Sequence, residues 1–338
     1  PRSTLSSSSA ASDVYKRQPF TDKVESCGVT GFTVVNHMLL PKSFDKTVED
    51  DYWHLRENVQ IWDVSCQRQV EIIGSDAEKL VQIMTPRFIG KMNIGQCLYI
   101  PLLDENAGII NDPVLLKLNK NHFWLSIADS DVLLWTKGLA FGFNLDVKIL
   151  EPEIFPLAIQ GPKAEDLMVD IFGEDVRSIK FFNFKYFEFL GTQQLVARSG
   201  YSKQGGFEIY FSGFDLGSKL WDLIWDNGKK FNISAGCPNL IERIEGGLLS
   251  YGNEFTIEDK WNGWVEARLT NFDLQGNPFL PTVGQTITDT TTGSTATVAY
   301  IQRGFATARF YIKNKSGVWS KGSDFNESSN VTFVENDS

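Results

Sequence analysis

Histidine is scarce in this chain: of 338 residues only His37, His54 and His122 are histidines, and no two stand at metal-ligand spacing. A His-based zinc site and a Ser-His-Asp triad are both poorly supported by so few imidazoles. Cysteine is hardly commoner. Cys27, Cys66, Cys97 and Cys237 lie far apart with no CxxC pair, which reads as free thiols in a reducing compartment and not as a disulfide framework. Basic residues are outnumbered, with 32 Lys and Arg against 42 Asp and Glu, a net charge of −10. No Lys/Arg cluster exists to neutralise phosphates, so nucleic acid is not an expected partner. A membrane span needs about 18 uninterrupted apolar residues and no window approaches that, so a membrane partner is not expected either. Chemistry in such a chain rests on carboxylates, aromatics, amides and a borrowed cofactor.

Present instead is ordinary globular composition, 42% hydrophobic and 22% charged, in a length that suits two or three domains. Residues 1–18 are Ser-rich without an apolar core, so they do not fit a secretory signal. They read as an extension outside the fold, of cloning or read-end origin. From about Thr30 to Thr256 helix-like and strand-like segments alternate. Helices are expected over Val48–Asn58, Asp76–Met84 (begun by Ser75), Ser130–Phe141, Lys163–Ile171, Leu216–Trp225 and Ile241–Leu249. Strands are expected over Val70–Ile73, Cys97–Leu103, Val114–Leu118, His122–Ala128, Leu157–Ile159, Phe187–Val196 and Gly206–Tyr210, with a turn at 104–108. Short strands in apparent pairs favour an α+β fold with mixed or antiparallel sheets over a doubly wound one. The expected organisation is one region over 19–256, in two subdomains split near 150, and a separate all-β module over 257–338. That module holds 11 threonines against 9 in the 256 residues before it, and has no Met, Cys or His.

Three positions invite a chemical reading. Asp112, in Ile110-Asn111-Asp112-Pro113 between two expected strands, could position a protonated nitrogen or accept a proton. An Asp that starts a turn before proline is the commoner alternative, and it stays open. Glu208 lies in a half-buried strand after a Gly-rich stretch. A buried carboxylate there needs a cation or a ligand, whereas an outward hairpin Glu needs neither. The glycine pattern is not GxGxxG and no helix follows it, so phosphate cradling is unsupported. Arg243 has glutamates on both sides in a helix, which by itself reads as a solvated face. Trp53, Trp62, Trp124 and Trp135 read singly as core.

Taken together, DVS at 63–65, AIQGP at 158–162, GY…GGFEIY at 200–210 and ERIEGG…YG at 242–252 resemble the folate-dependent aminomethyltransferases, the family of the glycine cleavage T-protein. NHMLLP at 36–41, YWHLRENVQIWDVS at 52–65, ARSGYSKQGGFEIY at 197–210 and AGCPNLIERIEGGLLSYGNE at 235–254 narrow the likeness to the branch acting on dimethylsulfoniopropionate (DMSP). The resemblance covers roughly residues 30–256. It implies aminomethyltransferase-like folate-binding domains, tetrahydrofolate as co-substrate, no metal, DMSP as methyl donor, and a cytoplasmic enzyme of a marine bacterium, with a homodimer as the assembly entertained. Asp112 would be the catalytic carboxylate near N5 of the folate. Tyr99, Tyr201, Glu208 and Arg243 would line the folate, and Trp124 and Ser126 the substrate side. Two departures stand out. Cys66-Gln67 follow DVS where the T-protein has His-Met, which argues against a lipoyl-borne substrate. Trp261–Ser338 does not resemble the family's third domain and is more similar to small β-modules of phage virion proteins. A methylated amine as substrate, or a non-catalytic folate-binding remnant, remain the alternatives.

Overall fold

A computed structural model describes residues 18–238 and 240–252, together with 267–269, 286–288, 293–303, 308–313 and 331–333. Residues 1–17 lie outside the described residues. Gln18 belongs to the fold and not to an extension: it is buried, its amide donates to Leu39 O at 2.9 Å, and it accepts from Leu39 N at 3.0 Å.

After α1 (Thr21–Ser26), β1 (Val29–Val35) and β2 (Met38–Phe44) form a hairpin turned at Asn36 and His37, both at positive φ. Helix α2 (Val48–Glu57) starts where Thr47 accepts a hydrogen bond from Asp50 N, a side-chain N-cap. It runs into β3 (Val59–Asp63), β4 (Gln69–Ile73) and α3 (Ala77–Met84). Ser75 does not cap α3; its hydroxyl reaches Asp146 at 2.7 Å. The expected strand over 97–103 is two, β5 (Cys97–Tyr99) and β6 (Leu102–Leu103), paired with different partners on either side of Pro101, which has no N–H for a ladder. Then come β7 (Ile109–Asn111), β8 (Val114–Asn119), β9 (His122–Ser126), α4 (Val132–Gly142) and β10 (Lys148–Leu150).

The chain continues through β11 (Ile154–Gln160) and α5 (Ala164–Phe172) to β12 (Phe184–Phe189) and β13 (Thr192–Ala197). These last two occupy most of the single strand expected over 187–196. Leu190 and Gly191 both take positive φ and fold that stretch into a hairpin. β14 (Gly206–Ser212), α6 (Gly217–Gly228), β15 (Ile233–Ala235) and α7 (Leu240–Glu245) follow. Helix α7 stops at Glu245, short of the expected Leu249, where Gly246-Gly247 takes over and Gly247 adopts φ +67°.

Two sheets organise this region. A five-stranded antiparallel sheet has the order β10-β4-β9-β8-β5, and a six-stranded sheet has the order β12-β13-β14-β11-β3-β15, parallel only between β15 and β3. The expected split near 150 falls between β10 and β11, but β3, ahead of the first sheet, crosses to the second. Alternation along β9 sends Phe123 and Leu125 towards Leu80, Val81 and Val132 of α3 and α4. On the opposite face Trp124, Leu116 and Cys97 pack against Leu195, Ala197, Tyr210 and Phe184 of the six-stranded sheet. The two sheets therefore meet face to face. The far side of the six-stranded sheet buries Ile61, Leu157, Val196, Phe207 and Ile209 with Leu167 and Met168 of α5 and Leu220, Trp221 and Ile224 of α6.

Much of 257–338 lies outside the described residues. Its described strands, β16 (Ala267–Leu269), β17 (Thr286–Thr288), β18 (Thr295–Arg303), β19 (Ala308–Lys313) and β20 (Val331–Phe333), form one antiparallel sheet in the order β17-β18-β19-β16-β20. Among the described residues no helix is long and apolar enough to cross a membrane, and no group of three or more His, Cys, Asp or Glu is placed to hold a metal ion.

Candidate active site

Asp112 stands in the short link between β7 and β8, half-buried, and accepts a hydrogen bond from the Tyr99 hydroxyl at 2.9 Å. The link is pinned by its neighbour. Asn111 is fully buried, accepts from Ala128 N at 3.0 Å and donates to Ser130 Oγ at 2.8 Å. Pro113 stands directly before β8, yet the aspartate side chain engages Tyr99 across to β5 and does not merely close a turn. Burial pushes the Asp112 carboxyl up to about 6, against the opposing pull of the Tyr99 hydrogen bond. Burial and the adjacent Asp112 together drive the Tyr99 phenol upwards, with a smaller push from Tyr201. Burial raises the Tyr251 phenol as well, with smaller pushes from the charges of Asp112 and Asp129.

Glu208 is the second carboxylate. It sits inside β14, only 6% exposed, and the Ser199 hydroxyl donates to it. This excludes an outward hairpin glutamate. Desolvation raises its pKa and the Ser199 bond holds it down in part. The neighbouring Cys97 and Tyr210 are themselves buried, and the Glu208 charge raises both.

The glycines of 200–206 serve Gln160 of the AIQGP segment. Ser202 Oγ donates to Gln160 Oε1 at 2.7 Å, and Gln160 Nε2 donates to Ser199 O at 3.2 Å. A Cβ on Gly200 (φ +155°) would lie 2.1 Å from Gln160 Oε1, and one on Gly206 (φ +144°) would lie 2.2 Å from Ile159 O. Only glycine allows the loop to wrap this closely, and the wrap aims Ser199 at Glu208 and Tyr201 at the chain beyond α7. Tyr201 donates from its hydroxyl to Leu249 O at 2.6 Å. Arg243 donates to the adjacent carbonyl of Leu248 at 3.2 Å. It is 4% exposed, so the solvated-face reading fails. Helix α7 turns Glu242 and Arg243 inward, whereas Ile241, Ile244 and Glu245 face out, Glu245 tied to Arg56 at 3.0 Å.

Trp124 and Ser126 share one face of β9. Trp124 Nε1 donates to Glu71 at 2.9 Å, an oxygen that also meets His122 Nε2 at 2.7 Å. The Trp124 ring lies 6.3 Å from the Tyr210 ring at a tilt of 39°. Tyr99, Asp112 and Tyr201 thus form one group, Glu208, Ser199 and Tyr210 a second that reaches Trp124 and Ser126, and Arg243 joins through 248–249. Ser199 and Tyr210 were not singled out from the sequence. Tyr210 ends the GGFEIY block, two residues from Glu208 and so on the same strand face, which is the signal that could have found it. A separate cleft of about 410 Å³ is lined by Lys23, Lys46, Trp221 and Trp225 and shares no residue with these groups. Its lysines already engage Asp222 and Asp51.

The GCVT N-terminal domain family matches residues 20–269. The chain is 52% identical over 244 residues to dimethylsulfoniopropionate demethylase DmdA of Ruegeria pomeroyi, an alignment covering 72% of this chain and 67% of that protein. It is 30% identical over 222 residues to an aminomethyltransferase of Caldanaerobacter subterraneus, covering 64% of this chain and 59% of that enzyme. The chain thus spans about two thirds of the first relative and less of the second. Among solved structures, glycine cleavage system aminomethyltransferase T from Bartonella henselae shares the fold, with a TM-score of 0.65 at 20% identity over 91% of this chain and 92% of that one. With these sheets, this pair of hydroxyl-bonded carboxylates and a family match running from Phe20 to Leu269, the chain belongs to the GCVT aminomethyltransferase family.

Proposed function

We propose that this chain demethylates DMSP, moving one methyl group from the sulfonium sulfur to N5 of tetrahydrofolate and yielding 3-methylmercaptopropionate and 5-methyltetrahydrofolate. The carrying observation is Asp112, a carboxylate desolvated enough to sit near neutrality, oriented by Tyr99 and still half-exposed. The 52% identity to DmdA supports the choice of donor.

Tetrahydrofolate enters as a substrate and supplies the accepting nitrogen. The residues suit it: Glu208 is a buried acceptor flanked by Ser199, matched to the N–H donors of a pterin edge, and Tyr99 and Tyr201 add phenol rings beside Asp112. In the transfer the S–CH3 bond breaks, its electron pair stays on sulfur, the N–CH3 bond forms, and the nitrogen's proton leaves. A sulfonium is already a good leaving group, so the chain mainly aligns the reacting atoms. Asp112 stabilises the positive charge that grows on the nitrogen and accepts its proton. Trp124 and Tyr210 offer ring faces to the cation without competing as nucleophiles. Arg243 and Tyr201 brace the folate side through the carbonyls at 248 and 249.

Incubation with tetrahydrofolate and DMSP, read as 5-methyltetrahydrofolate by mass spectrometry, tests this. Product from DMSP and none from dimethylglycine or glycine betaine is expected. Product from a methylated amine instead of DMSP would replace the substrate.

A further inference from the structure

Asn36 turns the β1–β2 hairpin at φ +51°, in the left-handed region, and is only 4% exposed. Glycine would supply that backbone as well, so the turn alone does not call for asparagine. Its side-chain amide gives both protons to main chain of two other segments. One goes to Cys66 O at 3.0 Å, at the end of the DVSC stretch, and the other to Ala128 O at 3.0 Å, just past β9. Carbonyls only accept, which assigns the nitrogen end of the amide. Neither carbonyl depends on it: Arg68 N also donates to Cys66 O at 2.9 Å, and Ser130 N to Ala128 O at 3.0 Å. The amide therefore ties segments together and does not rescue orphaned acceptors. Its own backbone is held from both ends. Asn36 N donates to Asp129 Oδ1 at 2.8 Å, and Asn36 O accepts from Arg68, which is itself paired with Glu151.

The same segment, 128–130, is bonded on its other side to the link that carries Asp112. Ala128 N donates to Asn111 Oδ1 at 3.0 Å, Asn111 Nδ2 donates to Ser130 Oγ at 2.8 Å, and Ser130 Oγ donates to Ile110 O at 3.0 Å. Asn111 is fully buried and directly precedes Asp112. Residues 128–130 are thus clamped between one asparagine at the hairpin turn and another beside the carboxylate, with a hydrogen bond at every step. We infer that Asn36 is a positioning residue for the methyl transfer: by clamping residues 128–130 against Asn111 it holds the Asp112 carboxylate at the accepting nitrogen. A misplacement of about 1 Å in such an arrangement can cost about 100-fold in rate. This rests on the demethylase reading above and on the place of Asp112 in it.

Steady-state kinetics of the full chain with Asn36→Gly, alone and combined with Asp112→Asn, test the inference. Glycine keeps the left-handed turn and leaves both carbonyls their backbone donors, so the variant should fold, with chemical denaturation as the check. Asn36→Gly should lower kcat about tenfold and leave KM for DMSP and the tetrahydrofolate Kd within about twofold. In the Asp112→Asn chain the same substitution should cost less than about twofold in kcat, because the carboxylate it positions is gone. Asn36→Asp keeps the turn and the side-chain shape but donates to neither carbonyl, so it should lose at least as much kcat. It carries the test if Asn36→Gly fails to fold. An unaltered kcat, a loss shared equally by kcat and the tetrahydrofolate Kd, or the same loss of kcat with and without Asp112 would overturn the inference while wild-type turnover keeps the demethylase reading intact. A wild-type chain that binds tetrahydrofolate but makes no product from DMSP overturns both.

Discussion

The two facing sheets each contribute one carboxylate, and they hold it in opposite ways. On the five-stranded side Asp112 occupies a link between strands, half-buried, with a phenol as donor. On the six-stranded side Glu208 lies within a strand, 6% exposed, with a serine hydroxyl as donor. Both are desolvated and both are pulled back by one hydroxyl. A link beside solvent lets a carboxylate exchange protons and follow charge as it develops. A ladder residue cannot move, so its carboxylate serves as a fixed acceptor. The backbone that carries each carboxylate thus suits the proposed roles, Asp112 as the reacting group and Glu208 as the binding group.

The largest test of this contrast is a crossed pair of substitutions. Asp112→Asn should lower kcat by about 100-fold or more while the tetrahydrofolate Kd stays within about threefold. Glu208→Ala should reverse the pattern, raising that Kd about tenfold or more with a smaller loss in kcat. Turnover by Asp112→Asn at the wild-type rate would remove Asp112 from the chemistry, and an unchanged Kd in Glu208→Ala would return Glu208 to a structural role. Steady-state rates and tetrahydrofolate titration read both.

A pH profile sharpens the same contrast. In the proposed mechanism Asp112 works as a carboxylate, and burial pushes its pKa up to about 6, so kcat should fall as pH drops through about 6. Tyr99→Phe removes the bond that holds this pKa down, and the midpoint should move to higher pH. A midpoint that stays in place after Tyr99→Phe would assign the titration elsewhere.

The smallest expected effect is on stability. Because the folded pKa of Asp112 lies above its usual 3.8, the native state binds more protons than the unfolded chain between about pH 4 and pH 6. The penalty is absent below about pH 4 and complete above about pH 6. Asp112→Asn should therefore be more stable than wild type by roughly 1–2 kcal/mol at pH 7, allowing for its partial exposure, with the difference closing towards pH 4. Chemical denaturation at the two pH values checks this; equal stability at pH 7 would mean that Asp112 is not desolvated.

Local pattern determined a good part of this protein. The helix over 48–57, the strands over 114–119 and 206–212 and the turn at 104–108 follow from periodicity, capping and turn residues that act within a few positions. Hairpin closure at Leu190-Gly191 escaped the pattern, because a left-handed leucine is imposed by the pairing of β12 with β13. The break at Pro101 was written in the residue itself, yet only the different partners of β5 and β6 gave it meaning. At the site, Asp112, Glu208 and Arg243 were legible as residue types, and the motif blocks marked where they fall. Whether each faced water or protein was not legible. Glu208 is buried because the five-stranded sheet covers its strand, and Arg243 because it lies with Glu242 on the inward face of α7, opposite the exposed Ile241 and Ile244. Charge, composition and short-range propensity act along the chain, whereas desolvation and hydrogen-bond partners arise only when separate strands meet, so the tertiary structure alone decided which carboxylate stays in reach of solvent and which one is sealed within a strand.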